Sequence, residues 1–355
     1  MRAFSFLDGE AAMPMLDIFN DNAFGVTSLT DAVNNIPFVP GRCGQVIDWN
    51  ERGITTLSVA IEQIDGVLQL LNPSPRGGPG ETKAKNKRNL RSLVVPHYQY
   101  DDGFNADEVM GVRAFGSESE VQSVMSLVNQ RQTDAVNLVL DPTLEYQRLG
   151  AVKGIILNQD GSTLYNLFTE FGVSQAATID FNLDASTDTG AIRKTCAGAV
   201  RTIANNLGGT PFTGVWALCG DNFFDSLIAN IEVRNTYKNT DMAQVLRDGY
   251  LQPNGNKVYG VFEFGGIVFE NYRGAIGNTP MVGVDEVRIF PVGVPGLFRT
   301  VYAPADYMET VNTVGLPRYS RQYMNPNGKR IEFEAQSNPL SYCTRPKVLL
   351  QGTTT

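Results

Sequence analysis

One histidine, four cysteines and a scatter of carboxylates are the residues from which a catalytic centre could be built. His97 would have to be the base of any hydrolytic triad, yet no serine or cysteine nucleophile motif and no adjacent carboxylate accompany it. It reads as a structural or exposed imidazole. Cys43, Cys196, Cys219 and Cys343 stand far apart without a Cys-x-x-Cys pair. Zinc spacing is therefore absent, and the thiols read as reduced, mostly buried side chains of a protein made in a cytoplasm without a secretory signal. Stretch 77–83 lacks the Gly-Lys-Ser/Thr order of a phosphate loop, because Gly80 is followed by Glu81, Thr82 and Lys83. Asp101/Asp102 and Asp107/Glu108 lack calcium-loop spacing, and paired acids are common by chance in so acidic a chain. The reading is a non-enzyme with no cofactor and no metal.

The patterned charge is basic. Arg76, Lys83, Lys85, Lys87, Arg88 and Arg91 face a single acid, Glu81, in window 76–91. That window is net +5 within a chain of formal charge -8, which leaves -13 for the remainder. No aromatics interleave the run, so it is a poor platform for single-stranded nucleic acid, and the acidic remainder would repel duplex DNA. A basic segment on an acidic body suits docking onto another copy. These six residues are the candidate intersubunit contacts. The acids at 101–102 and 107–108 read as a charged connector, or as part of a face that receives the basic tip.

The segment that carries this charge reads as extended. Leu57, Val59 and Ile61 alternate with Thr56, Ser58 and Ala60. Asp65-Gly66 marks a turn, an apolar strand resumes at 67–71, and 72–80 is too rich in Pro and Gly for helix or ladder. Leu93 to Tyr100 reads as one returning strand. Residues 52–100 thus form a long two-stranded excursion. An isolated hairpin of that kind is marginal in water, so another copy of the chain is expected to complete it.

The longest helix is expected over 117–150. Ser117 is its N-cap, and Val121, Val124, Val128, Ala135 and Val139 recur at steps of three and four, with Met125 and Val136 widening the stripe. Asp141-Pro142 is a restart signal, and Gly150 is the expected stop. Residues 1–50 lack periodicity and read as an arm held by isolated apolar anchors, with helical turns near 17–19 and 29–34. A hairpin is expected around Asp160-Gly161, then a helix over 190–207 capped by Asp188 or Thr189 and ended by Gly208-Gly209. Val215 to Leu218 reads as a buried strand and Asp221 as the cap of a second helix. A polar loop over 232–257 and a hairpin around Gly265-Gly266 follow. Together 190–285 reads as a compact α/β module. Beyond it, strands are expected at 287–290, 298–302, 319–323, 331–335 and 347–350, with a turn at 325–328. Hydrophobic residues make up 42% of 355, enough for a sizeable core, and no apolar run reaches the ~18 residues that cross a membrane.

The C-terminal third carries a resemblance. Tyr302-Ala-Pro-Ala-Asp-Tyr-Met-Glu-Thr-Val-Asn-Thr-Val-Gly315, Tyr319, Phe333-Glu-Ala-Gln-Ser-Asn-Pro-Leu340 and Arg345-Pro346 resemble the major capsid protein E family of tailed bacteriophages, the lambda type. Leu144 to Ile156 and the order of the earlier parts also fit. The resemblance implies an α+β fold of the Hong Kong 97 type: arm 1–50, E-loop 51–116, P-domain with a spine helix 117–190, A-domain 191–284, and P-domain return strands with the C-terminus 285–355. It implies self-assembly into pentamers and hexamers of an icosahedral shell around double-stranded DNA, in a virion. Implied partners are the chain itself, a portal, a scaffolding protein and a decoration or cementing protein, with no membrane. The alternatives are an encapsulin-like protein compartment and an acidic α/β enzyme.

Overall fold

The computed structural model describes residues 41–63, 89–105, 108, 129–131, 133–185, 187–237, 261–272, 275–276, 279–327 and 329–355. The expectations for 1–40, the turn at 65–66, the basic tip and the helix start at 117–128 lie outside these residues.

The main core is built on a six-stranded mixed sheet. Its order is Ile179–Asp180, Leu350–Thr353, Glu286–Val292, Gly214–Cys219, Ile267–Asn271 and Val261–Phe264. Gly214–Cys219 lies inside the sheet, parallel to Ile267–Asn271 and antiparallel to Glu286–Val292. The hairpin expected at Gly265-Gly266 is present. Both glycines have positive φ, 61° and 82°, as a tight two-residue hairpin turn demands. The expected module at 190–285 does not close on itself, because three of the six strands come from outside it. The last expected strand begins at Leu350 instead of 347, since Pro346–Val348 forms a short helical turn.

Helix Ala191–Leu207 packs on this core through Ile192, Cys196, Ala199, Ile203 and Leu207, and Gly208 ends it in the left-handed region. Its cap is not local. Glu232 accepts hydrogen bonds from the Ile192 and Arg193 amides at 3.1 and 3.0 Å, while Asp188 accepts one from Asn235. The first part of the expected 232–257 loop is therefore helical, Ile231–Tyr237, and positions that carboxylate. Asp221 opens helix Asp221–Ala229 without capping it, and takes the Asn271 amide at 2.9 Å instead. Phe181, Phe223, Phe262 and Phe269 fill the space between helix and sheet, with ring centroids 5.3–6.5 Å apart.

Two three-stranded sheets flank this core. In one, Asn50–Gly53 runs parallel to Phe298–Tyr302, which pairs antiparallel with Pro339–Cys343. In the other, Tyr319–Met324, Arg330–Ser337 and Tyr98–Asn105 are antiparallel. The strand expected across 93–100 is thus two strands in different sheets, Asn89–Val94 and Tyr98–Asn105, parted around Pro96.

The long helix does not break at Asp141. Residues 129–131 and 133–135 are helical, Val136–Leu140 widens into a π turn, and Asp141–Lys153 continues as α-helix. Pro142 has no N–H for the carbonyl four residues earlier and its ring would crowd it. The wider turn relieves that clash, and Thr143 Oγ1 donates to Val139 O at 2.7 Å. Asp141 sits at helical φ and ψ, -68° and -43°, so it is not a cap. The helix also passes Gly150 and ends at Gly154, φ 79°. Gly150 serves packing instead, since a Cβ there would come 2.9 Å from Ile156 Cα. Ala135, Val136 and Leu140 pack against Phe333 and Ala335.

Candidate functional site

Of the six basic residues proposed to touch a neighbour, Arg76, Lys83, Lys85, Lys87 and Arg88 lie outside the described residues. Arg91 stands on strand Asn89–Val94 opposite Ile61, half-buried. Its guanidinium passes Gly172, where a Cβ would lie 3.1 Å from Nη2.

The base of the excursion is satisfied by its own body on one face. Val59, Ile61, Leu93 and Val95 are buried in the main core, and the Tyr165 hydroxyl donates to Val94 O at 2.8 Å. Val94 on the other face, and Leu57 just before the strand, are exposed. This corrects the expectation that residues 52–100 as a whole depend on another copy. Within strands Ser58–Gln63 and Asn89–Val94, alternation turns Val59, Ile61 and Leu93 inward and leaves Val94 on the opposite face.

A second outward surface follows the strands of the C-terminal third. Met308 is 87% exposed, and Val311, Val314 and Leu316 of the same loop are also exposed. Beside it the register sets Glu334 opposite both Asp101 and Arg321. Burial, followed by Asp101 and Asp306, pushes the Glu334 carboxyl above the usual range. Arg321 lies 5.3 Å over the Tyr307 ring and pairs with Glu309. Arg131 bridges Asp102 and Glu108 at 3.1 and 3.2 Å, so two of the predicted connector acids are neutralised from the long helix. His97 Nδ1 is 2.9 Å from Asn338 Oδ1 and Nε2 is 3.3 Å from Gln99 Oε1, the contacts of a structural imidazole.

A third feature escaped the sequence reading. Asp141, Glu145 and Arg148 recur at i, i+4 and i+7, so they form one stripe of helix Asp141–Lys153, and they are only 5%, 5% and 3% exposed. Against this stripe runs the segment that includes the short helix Arg42–Val46 and strand Asn50–Gly53. Glu145 Oε1 accepts from the Cys43 amide at 2.8 Å and from the Tyr272 hydroxyl at 2.9 Å. Arg148 pairs with Glu51, lies 5.2 Å over the Trp49 ring, and Glu51 takes the Tyr302 hydroxyl at 3.0 Å. Arg318 pairs with Asp141 at 2.6 Å; burial still lifts the Asp141 carboxyl above its ordinary range, with Arg318 opposing. Arg42 reaches the fully buried Glu270, whose other oxygen accepts from Trp216 Nε1. On the neighbouring flank, the Gln147 amide donates to Pro339 O and accepts from Ser341 N, both at 2.9 Å. It thereby occupies the free edge of strand Pro339–Cys343 as a neighbouring strand would. A signal was available: Asp141, Glu145 and Arg148 stand at helical spacing where an apolar stripe was sought.

The Cys43 thiol lies beside Glu145, and burial, followed by the Glu145 charge, pushes that thiol well above its ordinary value. All four cysteines are buried and unbridged, and burial pushes Cys196 and Cys343 up to about 12. Among the described residues no group of three or more His, Cys, Asp or Glu could hold a metal ion. What the surfaces offer is contact area.

Residues 25–354 match the family model of phage major capsid protein E. The chain belongs to that family. It is 28% identical over 351 residues to the major capsid protein of Pseudomonas phage KPP10, covering 93% of this chain and 97% of the relative. It is 25% identical over 363 residues to that of Salmonella phage Felix O1, covering 95% and 98%. The fold is similar to a prophage protein of Escherichia coli CFT073 described as a capsid protein, with TM-score 0.58 at 11% identity over 93% of this chain and 99% of that one. Family membership makes this a structural component of the phage head shell with the Hong Kong 97-type fold, and not an enzyme. It also accounts for outward surfaces that carry apolar and acidic side chains.

Proposed function

We propose that the chain self-assembles into pentamers and hexamers of an icosahedral shell that encloses double-stranded DNA without reading its sequence. Family membership over nearly the whole chain carries this reading. We assign 1–50 to the arm, 51–116 to the E-loop, 117–190 and 285–355 to the P-domain, and 191–284 to the A-domain, whose sheet borrows strands from the flanking segments. The basic tip, Arg76 to Arg91, rests on acids of a neighbouring subunit, and the exposed Leu57 and Val94 supply apolar contact beside it. Many such contacts, each of modest area, add up in a closed symmetric particle. A portal, a scaffolding protein and a decoration protein join the shell, which is built in the host cytoplasm and persists in the virion.

Electron microscopy of purified wild-type protein and of a variant lacking 76–91 tests this. Closed shells from wild type, and free capsomers or misassembled sheets from the deletion, are expected. Normal shells from the deletion variant would show the tip to be dispensable. A small wild-type oligomer that never forms particles would defeat the shell reading itself.

A further inference from the structure

The sheet of Asn50–Gly53, Phe298–Tyr302 and Pro339–Cys343 has two unlike faces. Glu51, Thr300 and Ser341 share one register row, and from that side Glu51 reaches Arg148 of the long helix. The next row, Asn50, Arg299 and Tyr342, alternates to the opposite face, and Arg52, two residues beyond Asn50, shares it. Arg52, Arg299 and Tyr342 therefore come from three adjacent strands. Burial raises the Tyr342 phenol, and the Arg299 and Arg52 guanidiniums oppose it, by charge and by side-chain hydrogen bonding. Three donor groups thus meet at one place on this face.

The cluster lacks a counter-charge. Arg42, Arg131, Arg148, Arg288, Arg318 and Arg321 each pair with a carboxylate, whereas among the described residues Arg52 and Arg299 pair with none. Arg52 is exposed and Arg299 half-buried, so both are open to a ligand, while Tyr342 is 1% exposed and fixed. Arg299 Nε donates to Gly296 O at 3.2 Å, which holds its guanidinium in place. Two cations drawn onto one hydroxyl repel each other unless an anion joins them. Donors that arrive from three strands suit a tetrahedral oxyanion better than a carboxylate, whose two oxygens lie in one plane. We propose that Arg52, Arg299 and the Tyr342 hydroxyl hold one phosphodiester group of a double-stranded nucleic acid. The contact is to backbone alone and reads no sequence. It rests on the shell reading for the source of the phosphate, and it names where the chain touches the enclosed DNA. Because the chain as a whole carries a net charge of -8, the contact is local and sensitive to salt.

Fluorescence anisotropy of a short labelled DNA duplex, titrated at low salt with full-length unassembled protein, tests this without any shell being formed. Wild type is expected to bind, and equally for unrelated sequences. Arg52→Gln/Arg299→Gln is expected to weaken binding about tenfold and to lower the salt slope by about one. Arg52→Lys/Arg299→Lys keeps the charge without the planar fork, so it should lose less than the Gln pair, and it stands in if the Gln pair does not fold. No duplex binding by wild type, or unchanged binding in the Gln pair, overturns the proposal. Inorganic phosphate is expected to displace the duplex more effectively than a glutamate-rich peptide. The reverse order would make the site a carboxylate acceptor for a second copy and overturn the phosphate assignment. Binding of inorganic phosphate with no binding of the duplex would assign the site to the free ion and overturn it as well. Failure to bind the duplex leaves the shell reading standing, and failure to form shells leaves a positive binding result standing.

Discussion

Two helices pack on the same core by opposite means. Ala191–Leu207 buries Ile192, Cys196, Ala199, Ile203 and Leu207, an apolar stripe that any aliphatic neighbour can satisfy. Asp141–Lys153 buries Leu144, Leu149, Ala151 and Val152 but also Asp141, Glu145, Gln147 and Arg148, each of which needs a particular partner: Arg318, the Cys43 amide and Tyr272, the edge of strand Pro339–Cys343, and Glu51. Area removed from water is non-directional, whereas buried charge is tolerated only in register with its counter-group. The first helix therefore contributes stability. The second specifies which segments meet, because a mispaired arm or strand would leave charges buried alone.

The sharpest way to break this contrast is to orphan one charge. Arg318→Ala leaves Asp141 buried without its cation and is expected to cost about 3–5 kcal/mol by denaturant titration. Asp141→Leu/Arg318→Met, which removes both charges, should recover most of that loss. A single variant as mild as the double would mean the pair specifies nothing. In the apolar helix, Ile203→Ala is expected to cost about 2–5 kcal/mol by loss of burial, and Ile203→Val about 0.5–1.5. No partner change should rescue either.

The remote cap separates the helices further. Glu232→Ala should destabilise by about 1–2 kcal/mol, while Asp188→Ala, at the site where a local cap was expected, should change stability by less than about 0.5. Equal effects would restore the local reading. The smallest effect is on pH dependence. The Asp141 carboxyl is raised in the folded state, so the fold binds this proton more tightly than the unfolded chain does. Its contribution is fully present below the unfolded value near 3.8 and is lost as pH rises through the raised folded value. Stability measured upward from pH 4 should therefore fall more steeply in wild type than in Asp141→Asn. Parallel curves would show that Asp141 keeps an ordinary affinity for its proton.

Much of the second half was legible before any coordinates. Positive-φ glycines at 161, 208, 265 and 266 end or turn elements where they were expected, because only one residue type takes those conformations at low cost. The strands at 214–219, 298–302 and 319–324 follow from apolar or alternating runs of the right length. The errors share a cause. Gly150 looked like a helix stop, yet it is small because Ile156 passes close by. Asp141 and Asp188 looked like caps, yet their carboxylates go to Arg318 and Asn235, 177 and 47 residues away. The site was less legible than the fold, since a search for apolar periodicity passes over a stripe made of Asp, Glu and Arg.

Taken alone, the amino-acid order determined where elements begin and turn, which faces of the apolar helices point inward, and that a basic segment stands on an acidic chain. Those properties depend on a residue and its neighbours within a turn or two. The tertiary structure decided that the 93–100 run splits between two sheets, that three outside strands complete the 190–285 module, and that buried charges tie residues 42–51 to the long helix. Each of these is a pairing between positions tens to hundreds of residues apart. Such a pairing wins only when both partners are buried together, a condition that no local stretch encodes.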